Sequence, residues 1–300
     1  MTYEPRRVPW QEDVAIRGLR HRLTWWGERT NNPVVLLHGY LDSGATWQFL
    51  VDRLPPSWTL VAPDWRGFGA SEWIADGACY WFPDYLADLD ALLELLVPQS
   101  RARVVGHSMG GNVASVYAGV RPQRLQWLVN LEGLGLTSAR PEEAPKRYSQ
   151  WLDEVRDPFK EGRYDSLEQL TSVLRMKNVR LTQERAEFIA KAWSQPDGAG
   201  SEVRLCFDPR HRFVNPVLYR REETLACWSR VEIPSLLVMG ALSEHRARHA
   251  AQTSDEHWHS IFKKLRIANV PGAGHMMHHE DPEHVAQCIV DFERDYASLT

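Results

Sequence analysis

Arg103-Val104-Val105-Gly106-His107-Ser108-Met109-Gly110-Gly111-Asn112-Val113 runs from an apolar strand pattern into a glycine-flanked serine and on into a helical stretch that reaches Val120. Strand, tight turn and helix follow one another within a few residues. A serine on so sharp a turn sits on strained backbone, which projects its hydroxyl above the end of the strand. Gly106, Gly110 and Gly111 remove the side chains that would clash there. A bare G-x-S-x-G is a weak signal, whereas one placed between a strand and a helix is specific. Ser108 is therefore the candidate nucleophile.

Outward from this turn, short apolar runs alternate with longer amphipathic stretches, which indicates a parallel sheet flanked by helices. Val34-Leu37 follows Pro33 and leads into His38-Gly39, and Thr59-Ala62 is closed by Pro63. Leu128-Leu131 leads into Glu132-Gly133, Leu236-Met239 into Gly240, and Leu265-Val270 into Pro271-Gly272. Between them, Tyr85, Leu86, Leu89, Leu92, Leu93 and Leu96 form one helical stripe, and Val113, Val116, Tyr117 and Val120 another. Open sheets of this kind collect reactive groups at the carboxyl ends of their strands. From about Leu134 to Trp228 the strand-like runs vanish and helical signals take over, with Ser166 (paired with Gln169) and Thr182 as expected helix caps and Ser194-Gly200 as a loop. The expected organisation is a core of residues 1–133 and 229–300, with residues 134–228 inserted as a helical cap.

A serine hydroxyl needs a histidine base, and the base needs an acid to fix its tautomer. His275 is the candidate base: the preceding Pro271-Gly272-Ala273-Gly274 is small enough to bring its ring over the sheet edge. The neighbouring His278 and His279 read as solvated, as do His257 and His259, and the His275-His278-His279 cluster lacks an obvious carboxylate or cysteine at zinc spacing. No metal or other cofactor is expected. The candidate oxyanion donors are the backbone amides of Met109 and Tyr40, with Gly39 permitting close approach and His38 orienting the loop.

His38-Gly39, Asp64-Trp65-Arg66-Gly67-Phe68-Gly69-Ala70-Ser71, Gly106-His107-Ser108-Met109-Gly110-Gly111 and Gly274-His275 resemble, in order and separation, the α/β-hydrolase fold over nearly the whole chain. The resemblance implies ester-type hydrolysis through Ser108 rather than the aspartate-nucleophile chemistry of haloalkane dehalogenases and epoxide hydrolases. It also implies a structural role for the Asp64-Ser71 turn. The family's commonest acid is an aspartate three residues after the glycine matching Gly240, where this chain has Ser243. Either Glu244 serves instead, or the acid has moved to Glu132 at the end of the preceding strand, as in some members of the fold. Glu132 is the better candidate, because it precedes Gly133, stands at a strand end where an unpaired polar group is costly, and has an extra methylene of reach. For either glutamate, the alternative is a carboxylate merely bonded to loop amides. Asp208-Pro209-Arg210-His211-Arg212, Ile233-Pro234 and the missing aspartate at Ser243 resemble the serine hydrolase-like protein group, whose acid-like residue also falls at the strand end matching Glu132. Asp208 and Arg210 are expected to tie the insert to the core.

Composition bounds the partners. With 43% hydrophobic and 25% charged residues and a formal net charge of −4, the chain reads as globular, with no long-range attraction to nucleic acid or an anionic membrane. The start reads as no secretory signal, and no segment approaches the roughly 20 apolar residues of a spanning helix. The scattered Cys79, Cys206, Cys227 and Cys288 suit reduced thiols, so a cytoplasmic location is expected. The expected partner is a small-molecule ester with an apolar acyl or alcohol part, seated under a cap to which Trp151, Trp193, Trp228, Leu134 and Leu136 lend apolar surface. Thioester, lactone, lysophospholipid and carbon–carbon bond hydrolysis are variants of the same machinery. The rival is a noncatalytic ligand-binding protein on the same fold.

Overall fold

The computed structural model describes residues 3–248 and 254–297. Its strands are β1 (Trp10–Ile16), β2 (Leu19–Trp26), β3 (Val34–Leu37), β4 (Leu60–Pro63), β5 (Ala102–His107), β6 (Leu125–Leu131), β7 (Arg163–Tyr164), β8 (Ser194–Pro196), β9 (Val203–Leu205), β10 (Ser235–Gly240) and β11 (Leu265–Val270). Its helices are α1 (Gln48–Val51), α2 (Phe82–Leu96), α3 (Met109–Val120), α4 (Ala144–Arg156), α5 (Leu167–Lys177), α6 (Gln183–Trp193), α7 (Arg221–Trp228), α8 (Glu244–Arg248), α9 (Asp255–Ile261), α10 (Met277–Glu280) and α11 (Pro282–Ala297).

The main sheet is eight-stranded in the order β1-β2-β4-β3-β5-β6-β10-β11. All neighbours from β4 onward pair in parallel, and the β1–β2 hairpin adds an antiparallel edge. Strand alternation splits the apolar side chains between two cores. Val35, Leu37, Val104 and Leu128 pack with α2 and α3 through Leu89, Leu92 and Val113, while Val34, Leu36, Val105 and Val129 pack with α1 and α11 through Leu50, Val285 and Ile289. The chain is thus a parallel sheet with helices on both faces, as the alternation of runs predicts.

The stretch between β6 and β10 is mainly helical, and its caps form: Ser166 Oγ accepts from Gln169 N at 3.2 Å and Thr182 Oγ1 from Arg185 N at 3.3 Å. Two expectations need correction. The stretch also holds a small antiparallel sheet, β7-β9-β8, and the expected loop at Ser194 begins as β8. These strands are only two or three residues long and mostly polar, so no apolar period marks them. Further, Trp228 and Leu134 are fully buried in the sheet's own core, not at a cap cavity. Around α5 and α6 a separate apolar cluster gathers Leu170, Leu174, Ile189 and Ala190 on Phe49 of α1.

Asp208 and Arg210 tie this stretch to the turn after β4. Asp208 Oδ2 accepts from Tyr80 Oη at 2.8 Å, and Arg210 donates to Asp208 and to the carbonyls of Ile74 and Ala75. The Asp64 carboxylate holds that turn itself, accepting from the amides of Gly44 and Ala70 at 2.6 and 2.8 Å.

Candidate active site

Ser108 stands between β5 and α3 with φ 50° and ψ −111°, a strained conformation for a residue other than glycine. Close packing beneath it explains the glycines. A Cβ on Gly110 would lie 2.3 Å from the carbonyl oxygen of Leu37, and one on Gly106 would lie 2.6 Å from that of Gly110.

Ser108 Oγ lies 3.0 Å from His275 Nε2, and His275 Nδ1 lies 2.8 Å from Glu132 Oε2. A carboxylate only accepts, so Nδ1 carries the proton and Nε2 offers its lone pair to the hydroxyl. Glu132 is fully buried, at φ 53°, on the turn after β6. The Asn130 side chain clamps that turn, accepting from Gly133 N at 2.6 Å and donating to Gly133 O and Ser115 Oγ. Both carboxylate oxygens of Glu132 have further partners: Gly240 N donates to Oε1 at 2.8 Å and Ser243 Oγ to Oε2 at 2.6 Å. Of the two candidate glutamates, Glu132 is the one at the imidazole, while Glu244 opens α8 as an exposed residue. Ser243, read in the sequence only as a missing acid, donates to Glu132.

The loop after β3 lies beside this row. His38 donates through Nδ1 to Gly39 O at 2.8 Å and accepts from Trp65 N at Nε2, so it orients the loop as expected. Burial pushes its pKa down, in keeping with the neutral ring that these roles require. A Cβ on Gly39 would lie 3.2 Å from Ser108 Cβ, which fixes how near the loop comes to the serine. Met109 is the first residue of α3, so its amide has no acceptor within the helix. Tyr40 follows Gly39, its ring half-exposed and its hydroxyl donating to His211 O at 2.9 Å.

His278 and His279 are not solvated: both are buried on α10, His278 packed on Trp47 and His279 on Phe49. The carboxylate that their local sequence lacks comes from Asp42, with Oδ2 3.6 Å from Nε2 of each. Sequence reading passed over Asp42, His107, Asn130 and the supporting role of Ser243. His107 alone carried a signal, its place inside the glycine-serine-glycine turn, and it donates through Nε2 to His275 O at 2.9 Å.

Residues 32–282 match the family model of the alpha/beta hydrolase fold. The chain belongs to the α/β-hydrolase family. It is 28% identical over 299 residues to a serine hydrolase-like protein of Danio rerio, covering 95% of this chain and 86% of that one. It is 26% identical over 291 residues to a putative 2-succinyl-6-hydroxy-2,4-cyclohexadiene-1-carboxylate synthase of Bacillus subtilis (strain 168), covering 92% and 95%. Among solved structures, the thioesterase domain from the curacin biosynthetic pathway superposes with a TM-score of 0.80 at 24% identity, over 94% of this chain and 99% of that one. At these identities the solved structures speak for the fold of this α/β-hydrolase. Among the described residues, no helix is long and apolar enough to cross a membrane.

Proposed function

We propose that this α/β-hydrolase is a serine hydrolase that cleaves a small to medium carboxylic ester through an acyl-enzyme. The observation that carries the reading is the unbroken row from Ser108 Oγ through His275 to Glu132, at 3.0 and 2.8 Å. Ser108 attacks the ester carbonyl as His275 Nε2 takes its proton. The amides of Met109 and Tyr40 receive the charge that develops on the carbonyl oxygen, and each such donor is typically worth about 10²–10³ in kcat. His275 returns the proton to the departing alcohol, then activates a water that releases the acid. Glu132 holds the ring in the tautomer this needs and stabilises its cation. Acyl transfer of this kind calls on no cofactor.

The serine hydrolase-like name of the Danio rerio relative supports the reading. Residues 134–228 act in it as a cap that closes over Ser108 and sets substrate size. Tyr148, Leu152 and Val155 lie exposed at helical spacing on α4 within that stretch, which suits an apolar acyl or alcohol part. The test is a panel of p-nitrophenyl esters of rising acyl length. The proposal expects turnover with an optimum at short to medium chains, lost in Ser108→Ala. No turnover of any ester by folded wild-type protein would favour a ligand-binding role.

A further inference from the structure

Beneath the Ser108 row lies a second cluster of polar side chains, fully enclosed: Asp42, His107, His278 and His279 are each at most 3% exposed. One donor atom from each of Asp42, His107 and His278 lies within 4.8 Å of the others, and His279 Nε2 is 3.6 Å from Asp42 Oδ2. Within this cluster, Asp42 Oδ2, His107 Nδ1, both ring nitrogens of His278 and His279 Nε2 have no hydrogen-bond partner. Each buried polar atom left unpaired costs about 1–3 kcal/mol, so five among four neighbouring side chains demand an explanation.

We propose that Asp42, His107, His278 and His279 form a binding site for a zinc-type divalent transition-metal ion. The protonation pattern is that of a ligand set. His107 Nε2 donates to the carbonyl of His275, which can only accept, so Nδ1 is left as a lone pair with no hydrogen-bond partner. A ring proton given to a backbone carbonyl is the usual outer support of a metal-bound histidine. Asp42 shows the same division: Oδ1 accepts from Ser43 N, Thr46 Oγ1 and Trp193 Nε1, while Oδ2 is free to face the imidazoles. Among the described residues, the ion-pair partners of Asp42 are His278 and His279.

Imidazole nitrogens with one carboxylate oxygen select zinc-like ions over magnesium or calcium. With bond lengths of about 2.0–2.2 Å, a tetrahedral site has ligand atoms roughly 3.3–3.5 Å apart; Asp42 Oδ2 stands 3.6 Å from Nε2 of His278 and of His279, and the atoms of Asp42, His107 and His278 lie within 4.8 Å of one another. The ion would join the loop after β3, the turn bearing Ser108 and the helix after His275, and so brace the segments that carry the oxyanion loop, the serine and the imidazole. It acts in no chemical step.

The test uses full-length protein, stripped with a chelator and titrated with Co²⁺, whose tetrahedral complexes absorb strongly in the visible. The site predicts saturable uptake stoichiometric with the chain, displacement by Zn²⁺ and a raised melting temperature. Asp42→Asn, which keeps the Oδ1 contacts, and His278→Gln should each abolish the absorption, whereas His284→Gln, at an exposed histidine, should not. Wild-type protein that takes up no Co²⁺ and melts at the same temperature with and without Zn²⁺ overturns the proposal, as does absorption that survives both cluster substitutions. These readouts are independent of ester turnover, so this site and the proposed hydrolase activity stand or fall separately.

Discussion

At the scale of single residues, the site depends on where one carboxylate is held. Glu132 occupies a positive-φ turn, and its oxygens are bonded by His275, Ser243 and Gly240, so its position is fixed before any substrate arrives. Glu132→Gln presents an amide to His275 Nδ1 and removes the control of tautomer, and a loss of roughly 10⁴ in kcat is the scale such a change produces. Glu244→Gln should change kcat by less than about twofold, because surface changes away from the reacting groups are nearly neutral. Steady-state kinetics on one ester checks both, and the reverse ranking would return the acid to α8. The sequence narrowed the choice to these two, because Glu244 adjoins the family's commonest acid position at Ser243 and Glu132 ends the preceding strand. It did not show that Ser243 donates to Glu132, because that contact spans 111 positions and depends on the side-by-side register of β6 and β10.

At the scale of elements, strands bounded by glycine or proline were legible wherever both faces are buried. β3, β4, β5, β6 and β10 lie where their apolar runs place them, since a central parallel strand has to be apolar throughout, while β11, a half-exposed edge strand, lies where its run ahead of Pro271-Gly272 places it. The β1–β2 hairpin escaped notice because β1 is an edge strand, half-exposed and carrying Glu12 and Asp13. The seating of α7 was equally hidden. It packs so closely on α3 that a Cβ on Gly119 would lie 1.9 Å from the carbonyl oxygen of Cys227. Gly119→Ala has to push backbone from backbone, so it should destabilise the protein by about 1–3 kcal/mol, seen as a lower Tm in a thermal melt. An unchanged Tm would mean that the two helices can separate at no cost.

At the scale of the whole molecule, acid should weaken the fold through histidines packed in uncharged form. The His211 ring is stacked between Phe68 and Tyr80 at centroid distances of 3.8 and 3.6 Å, and Nδ1 meets Tyr85 Oη at 3.2 Å. Burial pulls it from 6.5 to about 3, against the opposing pull of nearby Asp208. The unfolded chain therefore binds a proton that the folded chain refuses. The stability this group contributes is whole above pH 6.5 and is lost as pH falls toward 3, by up to about 1.4 kcal/mol per pH unit. Urea midpoints between pH 7 and pH 4 should fall less steeply in His211→Phe than in wild type; equal slopes would refute this. The central claim, that Ser108 is a nucleophile activated by His275, is tested most directly by labelling the folded protein with a fluorophosphonate and locating the adduct by mass spectrometry. A stoichiometric adduct on Ser108, absent in Ser108→Ala, is the predicted result, and no adduct on folded wild-type protein, or one on another residue, would contradict it.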